Sequence, residues 1–471
     1  MRTPYKDEAR ESNAGAVPKV SNVLDVLDQR VFDLGRAIGV TSLLQSVWVY
    51  DRPVDLDGLR QFHDHLQRGR LSRGIEQSPL PFGRHRWVAS EGPSDIEFVA
   101  PARPREEFDS WLDEQVNTPL DCEHGPGWHL AVLPFTDGGT GVSLVVSHCL
   151  IDGVGLCEAL ADAALGRDVQ IGWPAAGSRG RWKALWQDTW QTVRDIPVMG
   201  RGVVAAIRLA RRSGSGAGAA GAPGSPTTSV TAPAPVAASV AGSGESMAVP
   251  MATVLVDADE WDARAQALGG TSNSLLVGLA ARLAKRGGRV GPDGCVVVGM
   301  PVNERADGDT RANARSSVAV RVDPELATAD LREIRAAVKQ ALIRHGEVPD
   351  EEYAVNAIIP LLPKRLLGAT SRASSPNGVG SSNLGVVNPA AGRPDGTDAD
   401  YFAIKVLPHL GLTEAMLNRF GGTQSFLSGR ANGRVFISAH SYLPGRVNTN
   451  DRLRQDLLSA LNDFSLTGAP L

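Results

Sequence analysis

The amino-acid sequence predicts an α/β protein built as two large lobes. Three observations lead to this expectation. The chain has 471 residues, of which 42% are apolar, and at about 150 residues per domain this length suits two or three domains or two large lobes. A segment near the middle, 213–244, contains no charged and no aromatic residue and separates two halves of similar size. Both halves contain patterns typical of strands interleaved with patterns typical of helices.

The first half, 20–178, is predicted to form the N-terminal lobe. Segments 46–51, 129–135 and 142–148 are short, apolar and rich in β-branched residues, which predicts strands. Segments 56–69 and 155–165 have the longer apolar periodicity of helices. We therefore expect a mixed sheet flanked by helices.

A helical segment, 179–212, is predicted to follow this lobe. Trp182, Trp186 and Trp190 recur every four residues, so they share one helical face. Pro197 is predicted to break the helix into two pieces. Two interpretations of the tryptophan stripe stay open. It packs against its own lobe, as most such stripes do, or it faces a membrane surface, which the arginines that follow it favour.

The segment 213–247 is predicted to be a disordered crossover linker, because Gly, Ala, Ser and Pro bury too little surface to offset the entropy of ordering. A flexible coil of this length spans roughly 30 Å. The remaining residues, 248–471, are predicted to form the C-terminal lobe. Its clearest elements are strands at 251–257 and 295–303 and helices at 274–285 and 330–344.

Composition excludes several classes of protein. With 48 basic and 52 acidic residues the net charge is −4, which argues against a general nucleic-acid binder. Four scattered cysteines without a CxxC pair argue against a disulfide framework and a zinc site of that kind. No apolar stretch of about 18 residues and no signal-peptide pattern occur. We expect a cytoplasmic protein, with peripheral contact to a membrane left open.

The sharpest motif is the run from Ser147 to Gly153, SHCLIDG. An apolar strand delivers His148 at its end, where a rigid element holds the ring near solvent. An unperturbed histidine has a pKa near neutrality, which suits a general base. Taken alone, the HxxxDG spacing is only moderately specific, because a His–Asp pair four residues apart is often a structural hydrogen-bonded pair.

Other candidate motifs are weaker. No Walker A sequence and no Rossmann GxGxxG after a strand are present. His124 and His129 lack an HExxH context, so no metal site is expected there. Cys149 is predicted to point away from His148, because successive side chains of a strand face opposite sides. Cys149 and Cys157 are therefore interpreted as small core residues.

The histidine motif resembles the HHxxxDG signature of the CoA-dependent acyltransferase superfamily. That group includes chloramphenicol acetyltransferase, peptide-synthetase condensation domains, polyketide-associated acyltransferases and bacterial wax ester synthase/diacylglycerol acyltransferases. Further segments are similar to the family in the expected order: 24–34, 119–132, 271–284, 300–305 and 381–385. The chain departs from the pattern at the first histidine, which is Ser147 here. It also lacks the DFGWG word of the plant branch.

The resemblance implies two chloramphenicol-acetyltransferase-like lobes in a monomer, with an active-site tunnel between them. It implies that His148 is the catalytic base and that an acyl-CoA or acyl-carrier protein is the co-substrate, with no bound cofactor and no metal. Asp152 is expected to pair with Arg305 from the other lobe and to fix the turn together with Gly153, and not to orient the imidazole. Asn383 or Ser382 is expected to contact substrate or the oxyanion.

The implied function is transfer of an acyl group from a thioester to a hydroxyl acceptor, a lipid or secondary-metabolite alcohol. Two alternatives stay open. One is an amide-forming enzyme of the condensation type. The other is a catalytically silent scaffold that binds an acyl carrier or a lipid, against which the intact His148 argues.

Overall fold

The computed structural model describes residues 21–90, 95–167, 171–215, 247–306, 308–347 and 379–471. The α-helices of these residues are α1 Val26–Ile38, α2 Leu56–Arg68, α3 Phe108–Val116, α4 Gly153–Ala164, α5 Arg181–Ser215, α6 Ala258–Ala267, α7 Ser272–Arg286, α8 Arg332–Glu347, α9 Glu414–Arg419 and α10 Asn450–Asp463. The strands are β1 Thr41–Tyr50, β2 Arg73–Glu76, β3 Arg86–Ala89, β4 Glu97–Phe98, β5 Trp128–Pro134, β6 Thr140–Ser147, β7 Met251–Asp257, β8 Val296–Asn303, β9 Arg315–Val322, β10 Val379–Val386, β11 Tyr401–Leu410, β12 Thr423–Ala431, β13 Arg434–Tyr442 and β14 Gly468–Pro470.

The N-terminal lobe is built on a five-stranded sheet of order β11-β1-β6-β5-β4. All eight residues of β6 are buried, because α2 and α4 cover one face of the sheet and α3 packs on the other. This double cover explains why the strand is a nearly continuous apolar run. It makes β6 a rigid support for the histidine that follows it.

The sheet of the N-terminal lobe takes its edge strand from the C-terminal half of the chain. β11 pairs antiparallel with β1 over most of its length. The segment before β11 is tied to the same strand, since Trp48 Nε1 donates to the Ala391 carbonyl at 2.8 Å and Tyr50 donates to Asp395 at 3.0 Å. The predicted C-terminal lobe, 248–471, is therefore not self-contained. Its β11 covers an edge of β1 that would otherwise expose unpaired backbone groups.

The C-terminal lobe is built on a seven-stranded sheet of order β14-β7-β13-β12-β10-β8-β9. α7 lies against it with a wide apolar face, and its residues form one core with those of α6, α8 and α10. β10 is parallel to both of its neighbours, β12 and β8. The register places Val379 beside Val298 and Gly380 beside Gly299.

The predicted strands and helices of both lobes are present, with ends displaced by a few residues. The helical segment differs from its prediction in two ways. First, α5 runs through Pro197 without a break. Proline has no N–H to donate to the carbonyl of Val193, four residues earlier. Val193 is exposed, so water can supply the missing hydrogen bond. Second, the tryptophan stripe does not pack on its own lobe, since Trp182 is 84% exposed and Trp186 71%.

The predicted linker, 213–247, falls almost entirely outside the described residues; its first three residues form the end of α5. In the part of the chain that the structure describes, none of the helices is both long enough and apolar enough to span a bilayer.

Candidate active site

A cavity of about 760 Å³ lies between the two lobes. The N-terminal lobe supplies α1, the end of β6 and the start of α4 to its wall, and the C-terminal lobe supplies β8, β9, β10 and β12. The predicted residues His148, Asp152, Gly153, Ser382 and Asn383 all line it. The cavity thus lies where the sequence placed an active site.

His148 is held at the end of β6 by backbone contacts on both sides. Its N–H donates to the Ser42 carbonyl on β1 at 2.9 Å, which continues the sheet by one residue. Its carbonyl accepts a hydrogen bond from Asn313 Nδ2 of the other lobe at 3.2 Å. Nδ1 is buried and makes no hydrogen bond among the described residues. This leaves Nε2 as the nitrogen available to the cavity.

The environment keeps the imidazole neutral. Burial lowers the pKa of His148 to about 4, and the positive charge of Arg315 acts in the same direction. Its own carbonyl, the charge of Asp152 and the Asn313 side chain oppose this and raise the pKa. A histidine of this kind is in its basic form at neutral pH, as a general base must be.

Asp152 pairs with Arg305 across the lobe interface. The guanidinium Nη2 lies 2.9 Å from Asp152 Oδ1, and the two side chains are only 3% and 8% exposed. Oδ1 also accepts the Gly155 N–H at 2.8 Å as the N-cap of α4, and Oδ2 accepts the Ala314 N–H at 2.9 Å. The predicted ion pair is confirmed. Both carboxylate oxygens are occupied by groups other than the imidazole, so the geometry is not that of a relay.

Gly153 allows the two lobes to approach closely. A Cβ at this position would lie 2.9 Å from Leu384 Cδ2, a side chain of β10. Contacts that short are essentially absent from real structures, so any larger residue would force the Leu384 side chain to move. The glycine of the motif therefore lets the start of α4 lie directly against Leu384 beside the cavity.

Asp28 on α1 supports the turn that carries His148 from a third direction, and it was not among the residues predicted from the sequence. Its side chain is fully buried and accepts the N–H groups of Ala312 at 3.0 Å and Asn313 at 2.7 Å. The Asn313 side chain then bonds the His148 carbonyl. Burial raises the pKa of Asp28 to about 6, while the charge of Arg73 opposes the rise. The only sequence signal was an aspartate inside an otherwise apolar helical face.

Arg73 is the buried counterpart of Asp28. It donates from Nε to the Leu150 carbonyl at 3.0 Å and from Nη1 to the Thr310 carbonyl at 2.5 Å. Its guanidinium stacks 4.4 Å from the centre of the Trp87 ring. The turn that carries His148 and the turn at 309–314 are thus joined by two buried charges of opposite sign.

Arg315 places a positive charge in the cavity wall, and it was not among the residues predicted from the sequence either. It lines the cavity, and its Nε is buried without a hydrogen-bond partner among the described residues. No described carboxylate forms an ion pair with it, although Asp152 is near enough to act on its charge. Burial lowers the pKa of this guanidinium. The side chain is suited to meeting negative charge that substrate brings or that develops in the reaction.

The candidate oxyanion contacts have different surroundings. Asn383 Oδ1 accepts the Gly385 N–H at 2.9 Å, which caps the local loop and leaves the amide nitrogen for the cavity. Neighbouring Ser381 also lines the cavity, and its hydroxyl is buried without a partner among the described residues. Sequence reasoning named Ser382 but not this residue.

Cys149, predicted to be a core residue, packs against the edge of a core cluster and is not enclosed in it. It is half-buried and lines the cavity beside His148, whereas Cys157 is buried as predicted. The expected alternation of side chains fails because β6 ends at Ser147 and the next residues form a turn. In the described ranges, no group of three or more His, Cys, Asp and Glu side chains is arranged to hold a metal ion.

The low pKa of His148 predicts an unusual pH profile. An unperturbed histidine, with a pKa of about 6.5, would lose about tenfold of its base form by pH 5.5 or so. We expect the protonation of His148 to leave kcat/KM unchanged from about pH 8 down to about pH 5, because the ring gains a proton only near pH 4. NMR titration of the imidazole, assigned by its loss in His148→Ala, checks this directly. An inflection near pH 6.5 contradicts it.

Comparison with known structures finds the same fold in several proteins. The first condensation domain of the CDA synthetase is similar over 96% of this chain and 99% of its own, with a TM-score of 0.56 and 14% identity. The wax ester synthase/diacylglycerol acyltransferase from Marinobacter aquaeolei VT8 is similar over 94% and 98%, with a TM-score of 0.52 and 16% identity. Polyketide synthase associated protein 5 from Mycobacterium tuberculosis matches over 95% and 100%, with a TM-score of 0.50 and 15% identity.

No protein-family model matches the sequence, and a search of curated proteins finds no significant match. The structural likeness nevertheless extends over nearly the whole chain in each case. The predicted two-lobe α/β fold of the chloramphenicol-acetyltransferase type is therefore confirmed.

Proposed function

We propose that this protein transfers an acyl group from a thioester to a hydroxyl acceptor. The observation that carries the proposal is the neutral, half-buried imidazole of His148 at the end of β6, inside a cavity that both lobes line. A cavity of about 760 Å³ accommodates a thioester and an acceptor together. The fold shared with condensation domains and a wax ester synthase supports this class of chemistry.

The proposed mechanism uses the imidazole first as a base and then as an acid. Nε2 of His148 takes the proton of the acceptor hydroxyl as the oxygen attacks the thioester carbonyl. The tetrahedral intermediate then collapses, the C–S bond breaks, and the imidazolium returns the proton to the departing thiolate. No acyl-enzyme forms, so no nucleophilic side chain is needed. Holding both reactants in one cavity supplies much of the rate.

Arg315 is proposed to stabilise the negative charge of the tetrahedral intermediate, with the Asn383 amide and the Ser381 hydroxyl as further donors. Its charge is desolvated and forms no ion pair with a described residue. No such ion pair therefore has to break before the guanidinium can interact with an oxyanion. Its second effect is to keep His148 unprotonated.

Replacing Arg315 by glutamine is expected to lower kcat by about 10²-fold while KM changes little. The same change should raise the pKa of His148, because a nearby positive charge is removed. Steady-state kinetics and NMR titration measure the two effects. Arg335→Gln, on the exposed face of α8, is the matched control. A rise in KM at unchanged kcat would assign Arg315 to binding an anionic part of the substrate instead.

The donor is proposed to be an acyl-CoA or an acyl-carrier protein, and the acceptor a lipid or secondary-metabolite alcohol. Amide formation is the second candidate, since the likeness to condensation domains is as extensive as the likeness to the ester-forming relative. His148 would take a proton from an amine in the same way.

The test is mass spectrometry of products formed by the purified protein from a panel of acyl-CoAs and acyl-carrier proteins, with alcohols and amines as acceptors. Released thiol is measured in parallel, and His148→Ala serves as the blank. Ester products that depend on His148 support the proposal of ester formation. Amide products would show instead that amide formation, the second candidate function, is correct. Tight binding of the acyl donor without any product would identify a silent scaffold.

A further inference from the structure

The outward face of α5 is an apolar stripe that the described parts of the chain leave exposed. Trp182 and Trp186 are mostly exposed, and Trp190 is about half exposed at 52%. The stripe continues along the helix through further exposed side chains, namely Val193, Ile196, Val203, Val204 and Ile207. From Trp182 to Ile196 they recur every three or four residues, and the helical period places Val203, Val204 and Ile207 on the same side. An exposed apolar surface of this size marks an interaction site.

The helix cannot turn to bury this stripe, because its opposite face is fixed to the protein. Ala184, Asp188 and Ala205 are buried there. Asp188 is fully buried and accepts hydrogen bonds from Arg86 at 2.9 and 3.0 Å and from Arg179 at 2.9 Å. Rotation of α5 would leave that carboxylate unpaired inside the protein, at a cost of several hydrogen bonds to a charged group.

The charges of α5 are sorted between its two sides. Its only acidic residues, Asp188 and Asp195, face the protein, where Arg84 lies 3.7 Å from Asp195. Lys183, Arg194 and Arg201 are exposed. They lie along one edge of the stripe at helical spacing, and the Arg194 guanidinium stands 5.6 Å from the Trp190 ring. The sequence of the helix adds three more arginines at positions 208, 211 and 212.

We propose that this face of α5 docks in the plane of an anionic lipid bilayer. Tryptophan is the side chain that prefers the boundary between headgroups and acyl chains. Lysine and arginine beside it attract anionic headgroups and extend their stems along the apolar surface. An amphipathic helix with an apolar face, a basic edge and no outward carboxylate is complementary to that boundary. The stripe from Trp182 to Ile207 is roughly 40 Å long at 1.5 Å per residue.

α5 is linked to the wall of the cavity through one intervening segment, which contacts the inward face of the helix. Residues 78–86 bind α5 on one side, with Ser78 donating to Asp188 at 2.8 Å. On the other side they bind α1, since Gln29 donates to the Gly83 carbonyl at 3.1 Å and His85 lies 3.1 Å from Asp33. α1 in turn lines the cavity. If the proposed acyl transfer holds, the bilayer would supply a lipid acceptor or acyl chain on this side of the molecule.

The test is flotation of the full chain with lipid vesicles. One set is pure phosphatidylcholine, and the other contains about one third phosphatidylglycerol, which gives the surface a negative potential. We expect binding to the anionic vesicles that weakens as salt is added. Substitution of all three tryptophans (Trp182→Ser, Trp186→Ser, Trp190→Ser) should weaken binding by at least about 100-fold, since it removes the inserted apolar area.

A charge variant tests the second feature separately. Lys183→Gln, Arg194→Gln and Arg201→Gln together should weaken binding to anionic vesicles by about 100-fold, or about fivefold for each basic residue. The matched control replaces three exposed apolar residues outside α5: Phe98→Ser, Leu326→Ser and Val447→Ser. That variant should bind as the wild type does.

Three results would overturn the proposal. The first is failure of the wild type to float with either vesicle, and the second is equal flotation of the wild type and the tryptophan variant. The third is a wild-type dimer that binds no vesicles and that the tryptophan variant converts to a monomer, which would identify a second copy of this chain as the cover. The assay contains no acyl donor, so its failure leaves the proposed acyl transfer untouched.

Discussion

His148→Ala is expected to lower the rate of acyl transfer by about 10²–10⁴-fold, the usual contribution of a general base. The side chain is half-buried, and the hydrogen bonds that hold this residue to the Ser42 carbonyl and the Asn313 amide are made by its backbone. Truncation therefore removes a chemical group and leaves the turn in place. The rate of thiol release from an acyl thioester, with and without acceptor, measures the effect.

The control for this variant is His124→Ala, which removes an imidazole that is 79% exposed and lies outside the cavity lining. It should leave the rate unchanged. Thermal unfolding of both variants should match that of the wild type. Wild-type turnover in His148→Ala would refute the proposed mechanism. If the variant is slow because it unfolds, the pH profile of the wild type becomes the test of the general-base role.

Removing either partner of the Asp152–Arg305 pair is expected to destabilise the protein by about 3–5 kcal/mol, because the remaining charge is left buried and unpaired. Asp152→Ala also deletes the N-cap of α4 and the acceptor of the Ala314 N–H. Arg305→Ala deletes donors to the Arg311 carbonyl at 2.9 Å and to the Ala312 carbonyl at 3.1 Å. Urea unfolding of each variant gives the free energy of unfolding.

The chain offers a matched ion pair for comparison. Arg393 and Asp398 lie 2.6 Å apart, but their side chains are 47% and 58% exposed. Arg393→Ala should destabilise the protein far less than either variant of the buried pair, since water solvates the charges of an exposed pair almost as well as the partners do.

A second comparison separates the structural role of Asp152 from a relay. Asp152→Asn keeps an oxygen that can cap α4 but loses the charge that faces Arg305. If the role is structural, this variant loses stability, and activity falls with the folded fraction. A fully stable Asp152→Asn with a large loss of kcat would restore the relay interpretation.

The elements of both lobes could be predicted because each carries its signal locally. β6 is a nearly continuous apolar run since both of its faces are covered, and α7 shows the periodicity of a helix packed on a sheet. His148, Asp152, Gly153 and Arg305 could be named because their types and spacing match a known signature, and the structure brings all four to the lobe interface. Their catalytic or structural roles stay predictions until the variants are measured.

Other features depended on contacts between residues far apart in the sequence. Asp28 lies 284 and 285 positions from the two N–H groups that it binds, and nothing in α1 indicates that it would reach them. β11 looks like part of the second lobe until it is seen to pair with β1. Cys149 enters the cavity because β6 ends one residue earlier than the apolar pattern suggested.

The tryptophan stripe shows most plainly where local pattern stops being informative. Spacing determined that Trp182, Trp186 and Trp190 share a face of one helix, and α5 contains all three. The same periodicity describes a face packed inside a core and a face turned to a bilayer, because both are apolar surroundings. Only the tertiary structure decides between them: the ion pairs of Asp188 with Arg86 and Arg179 fix the opposite face inward, and the stripe is left outside.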